Sequence, residues 1–182
     1  MSKINRRRFL KQSATTGAVA FPFVLTQRGQ AAKAPASERV RVGMVGAAGR
    51  AGKLNSIFAN NPNVDIVAIA EIDPRRLPNT LQGVTKIQGH KPKTTTDFRK
   101  LIDDPKVDAL CIGTPDHWHA IPAILGCVAG KDIYVEKPDS HNIVEGQRMV
   151  QAMRKHKRIV QMGSQHRSTE RLQTALAYIR EG

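Results

Sequence analysis

The chain has 182 residues, and 40% of them are hydrophobic. This length is enough for one globular core of ordinary size but not for two. Its formal charge of +14 is typical of nucleic-acid binders, yet residues 1–39 hold eight of the 29 basic residues and a single acid. The remainder carries 21 basic and 14 acidic residues, with few aromatics and no glycine-aromatic RNA-binding run, which argues against nucleic-acid binding.

The N-terminal segment resembles a twin-arginine export signal. Arg6-Arg7-Arg8 precedes Phe9-Leu10-Lys11, and the stretch from Gln12 to Gln27 carries no charge. That stretch is too weakly apolar for a membrane anchor. We therefore predict that residues 1–36 are a signal peptide and linker, and that the protein is exported to the periplasm without remaining membrane-anchored. A disordered basic tail is the alternative.

From residue 37 onward, strand-like and helix-like patterns alternate. Such alternation is typical of βαβ units. We therefore predict a single domain over 37–182, of the α/β class, with a doubly wound, mostly parallel Rossmann sheet. The predicted strands are 40–45, 64–70, 84–87, 108–112, 132–135 and 158–162. The predicted helices are 49–59, a short one after Asp73-Pro74, 96–102, 118–129, one capped by Asn142, and one from Ser168 or Thr169 to Gly182.

A glycine-rich turn follows the first predicted strand directly and opens a helix. In that context the backbone amides around Gly46, Gly49 and Gly52 can face a pyrophosphate at the positive end of the helix. The spacing departs from G-x-G-x-x-G, because Ala48 and Ala51 occupy the second and third glycine positions. Alanine makes the backbone approach to phosphate tighter. A strand-to-helix turn without a ligand is the alternative interpretation.

An acid follows the second predicted strand, where a dinucleotide-binding domain places its ribose ligand. Glu71 lies there, 25 residues after Gly46, and is suited to accept the ribose hydroxyls of NAD. Arg75 and Arg76 follow closely and are suited to a 2'-phosphate. We predict NAD as the cofactor, with NADP possible.

Two further loops with reactive side chains follow consecutive strands. Thr114-Pro115-Asp116-His117-Trp118-His119 comes after the fourth strand, and Glu136-Lys137-Pro138 comes after the next one. In a parallel sheet both loops leave the edge at which ligands bind. His117 and His119 lack a further Cys, Asp or His at useful spacing, so no metal site is predicted. Cys111 and Cys127 are expected to be buried small hydrophobes.

Three runs of residues resemble the N-terminal domain of the glucose-fructose oxidoreductase, inositol dehydrogenase and rhizopine-catabolism (Gfo/Idh/MocA) family. They occur in the order typical of that family and together with the glycine turn, so the match is specific. The runs are Asp108 to His119 (DALCIGTPDHWH), Ala129 to Pro138 (AGKDIYVEKP) and Val160 to Ser168 (VQMGSQHRS).

The resemblance implies a pyridine-nucleotide oxidoreductase that binds NAD(P) on its Rossmann domain. Lys137 is then the catalytic residue, through proton transfer or substrate orientation, and the Lys137–Pro138 peptide bond is often cis in relatives. By position, the implied cofactor-binding residues are Gly46, Gly49 and Arg50 at the phosphates, Glu71 at the adenosine ribose, Thr114, Asp116, Trp118 and His119 along the wall, Glu136 and Lys137 at the nicotinamide ribose, and Gln165 near the ring.

The resemblance also implies a second domain that holds the substrate and through which relatives oligomerise. Because the chain ends at Gly182, we expect a truncated protein without that substrate domain. The predicted function is the cofactor-binding domain of an exported oxidoreductase that transfers hydride to or from a sugar, polyol or related cyclic alcohol. The alternatives are an NAD-dependent glycosidase of the same fold and a fragment that binds only the dinucleotide, or nothing.

Overall fold

Strands and helices alternate throughout residues 35–181, the range described by the structure, which is a computed structural model. The predicted export signal lies outside the described residues. The strands are β1 (Val40–Val45), β2 (Val64–Ala70), β3 (Lys93–Thr95), β4 (Ala109–Ile112), β5 (Asp132–Val135) and β6 (Val160–Met162). The α-helices are α1 (Arg50–Ala59), α2 (Leu77–Gln88), α3 (Arg99–Asp103), α4 (Ala120–Val128), α5 (Ile143–His156) and α6 (Glu170–Glu181).

The six strands form one sheet with the order β3-β2-β1-β4-β5-β6. Every neighbouring pair is parallel. This is the strand order of a doubly wound Rossmann fold, so the predicted fold class is confirmed. The order reverses between β1 and β4, and this switch point is where such sheets bind their ligands.

The prediction of a strand at 84–87 is wrong, because these residues belong to α2. Leu77, Leu81 and Val84 recur at helical spacing and pack on the same side of the sheet, with Val84 fully buried. Gly89 ends the helix in a left-handed conformation, with φ of 84°. The third strand is instead the short, mostly exposed edge strand β3.

Two apolar layers cover the faces of the sheet, as the alternation of side chains along a strand requires. Leu110 and Ile112 of β4 point to the layer under α3, α4 and α5, whereas Cys111 between them points to the layer under α1 and α2. Both cysteines are free and buried. Among residues 35–181, none of the helices has both the length and the apolar character needed to span a bilayer.

The predicted cap of α5 is confirmed. Asn142 Oδ1 accepts a hydrogen bond from the backbone N–H of Glu145 at 3.0 Å. Glu145 Oε2 in turn accepts the backbone N–H of His141 at 3.0 Å, which completes a reciprocal cap. The helix begins at Ile143, so it follows the loop that carries Lys137 closely in the chain.

Candidate functional site

The loops that carry the predicted site residues all leave the same edge of the sheet. The first residue after each of β1, β2, β4, β5 and β6 donates its backbone N–H to the last residue of a neighbouring strand. These bonds are Glu71 N to Thr95 O (2.9 Å), Gly46 N to Ala70 O (2.8 Å), Gly113 N to Val45 O (2.9 Å), Glu136 N to Ile112 O (2.9 Å) and Gly163 N to Val135 O (2.7 Å). The hydrogen-bonded row fixes where each loop starts, so the glycine, acid, tryptophan and lysine loops converge.

The glycine turn has a conformation that favours glycine at two positions. Gly46 and Gly49 have φ of 104° and 58°. No atom lies within 4 Å of the place a Cβ would occupy at Gly49, so the space in front of α1 is open. No side chain caps the first turn of α1 at Gly49. Open space beside uncapped helix amides fits the phosphates of a dinucleotide.

Two side chains that were not predicted hold this turn in place. Asn55, fully buried on α1, donates from Nδ2 to Gly46 O (3.1 Å) and Ala51 O (2.8 Å). Thr80 Oγ1 donates to Ala47 O at 2.6 Å and ties the turn to α2. The bonds to Gly46 O and Ala47 O pair two carbonyls of the turn, which helps to hold the turn in one conformation.

A close approach between β4 and α1 also shapes the turn. A Cβ added to Gly113 would lie 2.9 Å from both Cα and Cβ of Ala51. A Cβ at Gly46 would lie 3.0 Å from Ala51 Cβ. The helix can therefore approach the switch point closely because a glycine follows each of the two strands β1 and β4.

Glu71 is anchored by backbone amides at the end of β2. Its Oε2 accepts from Ala47 N at 2.8 Å, and its Oε1 accepts from Asp73 N at 3.1 Å. A carboxylate has about four acceptor positions, so lone pairs remain for further hydrogen bonds. The amides orient the carboxylate toward the cavity that it lines.

A cavity of about 430 Å³ lies at this edge, between the glycine turn and the tryptophan loop. Its size is in the range of small-molecule sites. Among its walls are four predicted site residues, Gly46, Glu71, Thr114 and Trp118. Arg76, which the sequence analysis considered for a 2'-phosphate, also lines it, and so do Ile72, Thr96 and Phe98, which were not predicted.

Two aromatic rings form one wall of this cavity. The rings of Phe98 and Trp118 meet edge to face, with centroids 6.2 Å apart. Trp118 is 43% exposed, which is unusual for such a large apolar side chain. A flat apolar group such as a nucleobase can therefore cover it.

His119 lies behind this wall and is completely buried. Its Nε2 is 2.8 Å from Thr114 O, and its Nδ1 bonds Pro138 O. The ring therefore joins the tryptophan loop to the lysine loop. Asp116, by contrast, is exposed in the short 3-10 turn before α4.

Arg50 and Glu136 form an ion pair across the switch point. Arg50 Nε lies 2.7 Å from Glu136 Oε1, and the Glu136 side chain is only 3% exposed. Glu136 Oε2 also accepts from Lys137 N at 3.2 Å. The pKa of the Cys111 thiol and that of the Tyr134 phenol are both raised. Burial is the larger cause, and the nearby Glu136 charge is the second. Both groups therefore stay neutral around the carboxylate.

Lys137 and Gln165 lie farther along the edge, after β5 and β6. Lys137 is exposed, and its peptide bond to Pro138 is cis. Gln165 Oε1 is buried and has no hydrogen-bond partner among the described residues. Neither side chain lines the cavity, and the same holds for Gly49, Arg50, Asp116, His119 and Glu136. Their roles toward a ligand stay predictions.

Comparison with known proteins agrees with this geometry. Residues 40–164 match the family described as an oxidoreductase family with an NAD-binding Rossmann fold. A glycosyl hydrolase family 109 protein of Shewanella pealeana is 30% identical in an alignment of 154 positions that covers 75% of this chain and 34% of that protein. The levoglucosan dehydrogenase of Pseudarthrobacter phenanthrenivorans is 41% identical over 90 residues, covering 49% of this chain and 23% of that protein.

A solved structure shares the same architecture. The myo-inositol 2-dehydrogenase of Lactobacillus plantarum superposes with a TM-score of 0.67 and 25% identity, over 79% of this chain and 42% of that one. The chain thus spans less than half the length of each of these relatives. The matched residues contain the glycine turn, Glu71 and both motif loops, and the chain therefore belongs to the Gfo/Idh/MocA oxidoreductase family, whose NAD-binding Rossmann domain it carries.

Proposed function

We propose that this chain is the cofactor-binding part of an oxidoreductase that transfers hydride to or from a sugar, polyol or related cyclic alcohol. The observation that carries the proposal is the hydrogen-bonded row at the carboxyl edge of the sheet. It brings Gly46, Glu71 and Thr114 to one cavity at the switch point.

The residues at the glycine turn suit the phosphates of NAD. The uncapped amides at the start of α1 present partial positive charge, and the open space at Gly49 admits a phosphate close to the backbone. Arg50 adds a guanidinium at the same helix end. Its pairing with Glu136 leaves it one-third exposed, and its remaining N–H groups can still donate.

The cavity suits the adenosine half of the dinucleotide. Glu71 is held by two amides and keeps lone pairs for the ribose hydroxyls. The exposed face of Trp118 and the edge of Phe98 would pack on the adenine. Thr114 donates its hydroxyl to Trp118 O at 2.9 Å and so fixes the start of this wall.

The second motif loop would supply the reacting groups. When bound, NAD supplies the carbon that accepts or gives up the hydride. Lys137 is exposed beside that end of the edge, and its ammonium group can hydrogen-bond the reacting oxygen of the substrate and orient it. The names of the levoglucosan and myo-inositol dehydrogenases support a carbohydrate-like substrate.

A second candidate function is an NAD-dependent glycosidase. It is favoured by the match to a glycosyl hydrolase family 109 protein over 75% of this chain. The two functions differ in their products, because a dehydrogenase accumulates NADH, whereas transient oxidation in a glycosidase returns the cofactor to its starting state. Parallel assays of NADH absorbance and glycoside release on the whole enzyme distinguish them.

We further propose that the protein reaches the periplasm by the twin-arginine route. Arg6-Arg7-Arg8, Phe9-Leu10-Lys11 and the uncharged stretch that follows support this proposal. A reporter fused after residue 36 tests it. Replacing Arg6 and Arg7 by Lys is expected to abolish delivery, and unchanged delivery would contradict the proposal.

Calorimetric titration tests the proposed nucleotide site. The chain is expected to bind NAD, and Glu71→Gln is expected to weaken that binding about tenfold, or about 1.4 kcal/mol, by removing the ribose acceptor charge. Asp65→Asn is the matched control, because Asp65 lies at the opposite end of β2 and is bonded by Gln88 and His90. Equal losses in both variants, or no NAD binding, would contradict the proposal.

A further inference from the structure

Two arginines flank the carboxylate proposed to bind the adenosine ribose. Arg75 and Arg76 form the short 3-10 turn after Glu71, and Arg76 lines the cavity together with Glu71 and Asp73. Guanidinium groups at this position are well suited to bind a 2'-phosphate, because they donate in a planar fork. Their presence alone would favour NADP.

Asp73 holds both arginines. Its Oδ1 accepts from Arg75 N at 3.1 Å and from Arg75 Nε at 2.8 Å, and its Oδ2 accepts from Arg75 NH2 at 2.9 Å. The same Oδ2 lies 3.6 Å from Arg76 Nε. The hydrogen bond from the Arg75 side chain lowers the pKa of Asp73 to about 2. The carboxylate therefore stays ionised at any physiological pH.

We propose that Asp73 is a specificity-determining residue that makes the ribose pocket reject a 2'-phosphate. The inference rests on the proposed function, because it concerns the same site. With Asp73 in place, its charge and that of Glu71 offset the two guanidinium charges, so a phosphate dianion meets no net attraction. Asp73 also donates its backbone N–H to Glu71 Oε1 and thereby helps to aim the ribose acceptor.

The ion pairs of Asp73 should affect the choice between NAD and NADP more than the stability of the fold. The Arg75 side chain is 88% exposed, and exposed ion pairs add little to the free energy of unfolding. Asparagine at position 73 would still accept the Arg75 backbone N–H, so the turn should keep its cap. Asp73→Asn thus removes the negative charge that offsets the guanidinium groups while leaving the fold intact.

The test is calorimetry of NAD and NADP on the full chain and on Asp73→Asn. In the variant the affinity for NADP relative to that for NAD is expected to rise about tenfold. Adding Arg76→Ala to Asp73→Asn is expected to remove most of the gain, because Arg76 is the arginine that lines the cavity.

Asp97→Asn is the matched control. Asp97 binds Arg99 with the same geometry, accepting from Arg99 N at 3.0 Å and from Nε at 2.8 Å. Neither residue lines the cavity, so the ratio of the two affinities should not move. An unchanged ratio in Asp73→Asn, or an equal change in Asp97→Asn, overturns the inference while NAD binding stands. Failure of the unmutated chain to bind either dinucleotide overturns the proposed function, and this inference with it.

Discussion

The described residues enclose one end of the candidate site but leave the other end open. At the end proposed to bind adenosine, called here the adenosine end, the loops after β1, β2 and β4 enclose a cavity of about 430 Å³, and they start in one hydrogen-bonded backbone row. At the nicotinamide end, Lys137 is exposed and does not line that cavity. Met162, the last residue of β6, is exposed as well.

This difference implies a division of labour. The adenosine end is preorganised, so it should supply most of the affinity for a dinucleotide. The nicotinamide end presents reactive groups without enclosing them, so it should add little affinity and act in the chemical step. Binding and chemistry should therefore respond to different substitutions, and the following predictions test that separation.

The largest effect is expected at Gly113, where β4 meets α1. Gly113→Ala would place a Cβ 2.9 Å from Ala51 Cα, so the helix must shift, at about 3 kcal/mol in the free energy of unfolding. NAD affinity should fall with it, because the glycine turn moves. Gly83→Ala is the control: nothing lies within 4 Å of its added Cβ, and it should stabilise α2 by about 0.5–1 kcal/mol. Denaturant unfolding that shows equal stability for both variants would contradict the packing argument.

A smaller effect is expected at the ion pair that joins the two ends. Arg50→Ala leaves the buried Glu136 carboxylate without its partner, and we expect a loss of about 2 kcal/mol in stability. Adding Glu136→Gln should restore part of it. Arg99→Ala, which breaks an exposed pair with Asp97, should leave the stability nearly unchanged. Identical unfolding curves for Arg50→Ala and Arg99→Ala would show that the buried pair does not stabilise the junction.

Trp118→Ala tests the aromatic wall of the adenosine end. Loss of the ring face should weaken NAD about tenfold, or about 1.4 kcal/mol, as measured by calorimetry. Tyr178→Ala is the control, because Tyr178 is an exposed aromatic on α6 that does not line the cavity. Unaltered affinity in Trp118→Ala would remove the aromatic wall from the site.

The smallest effect is expected at the nicotinamide end. Lys137→Ala should change the affinity for NAD less than about threefold, or about 0.7 kcal/mol, because its side chain is exposed and outside the cavity. A tenfold loss of NAD affinity in this variant would show that the lysine loop contributes to binding, and the proposed division between the two ends would fail.

Much of the fold was predictable because short apolar strand patterns alternate with helical patterns along the chain. The loops of Gly46, Glu71 and Trp118 converge as expected, since each follows a parallel strand directly. The third strand was not predicted because β3 is short and mostly exposed. The pattern at residues 84–87, which begins with Val84, indicated a strand, but these residues belong to α2.

Other parts of the site depend on tertiary contacts that no local pattern signals. Asn55 and Thr80 reach the glycine turn from two helices, and Phe98 reaches Trp118 from the loop before α3. The burial of His119 was equally hidden, because its ring nitrogens contact backbone carbonyls of two separate loops.

The most direct test of the central claim is an NMR titration of the isotope-labelled chain with NAD, following every backbone amide. The account predicts that the largest shifts fall on the glycine turn around Gly46, at Glu71 and around Trp118, with smaller ones near Lys137. Shifts concentrated at the amino-terminal edge of the sheet, near Val40 and Asp65, would contradict it.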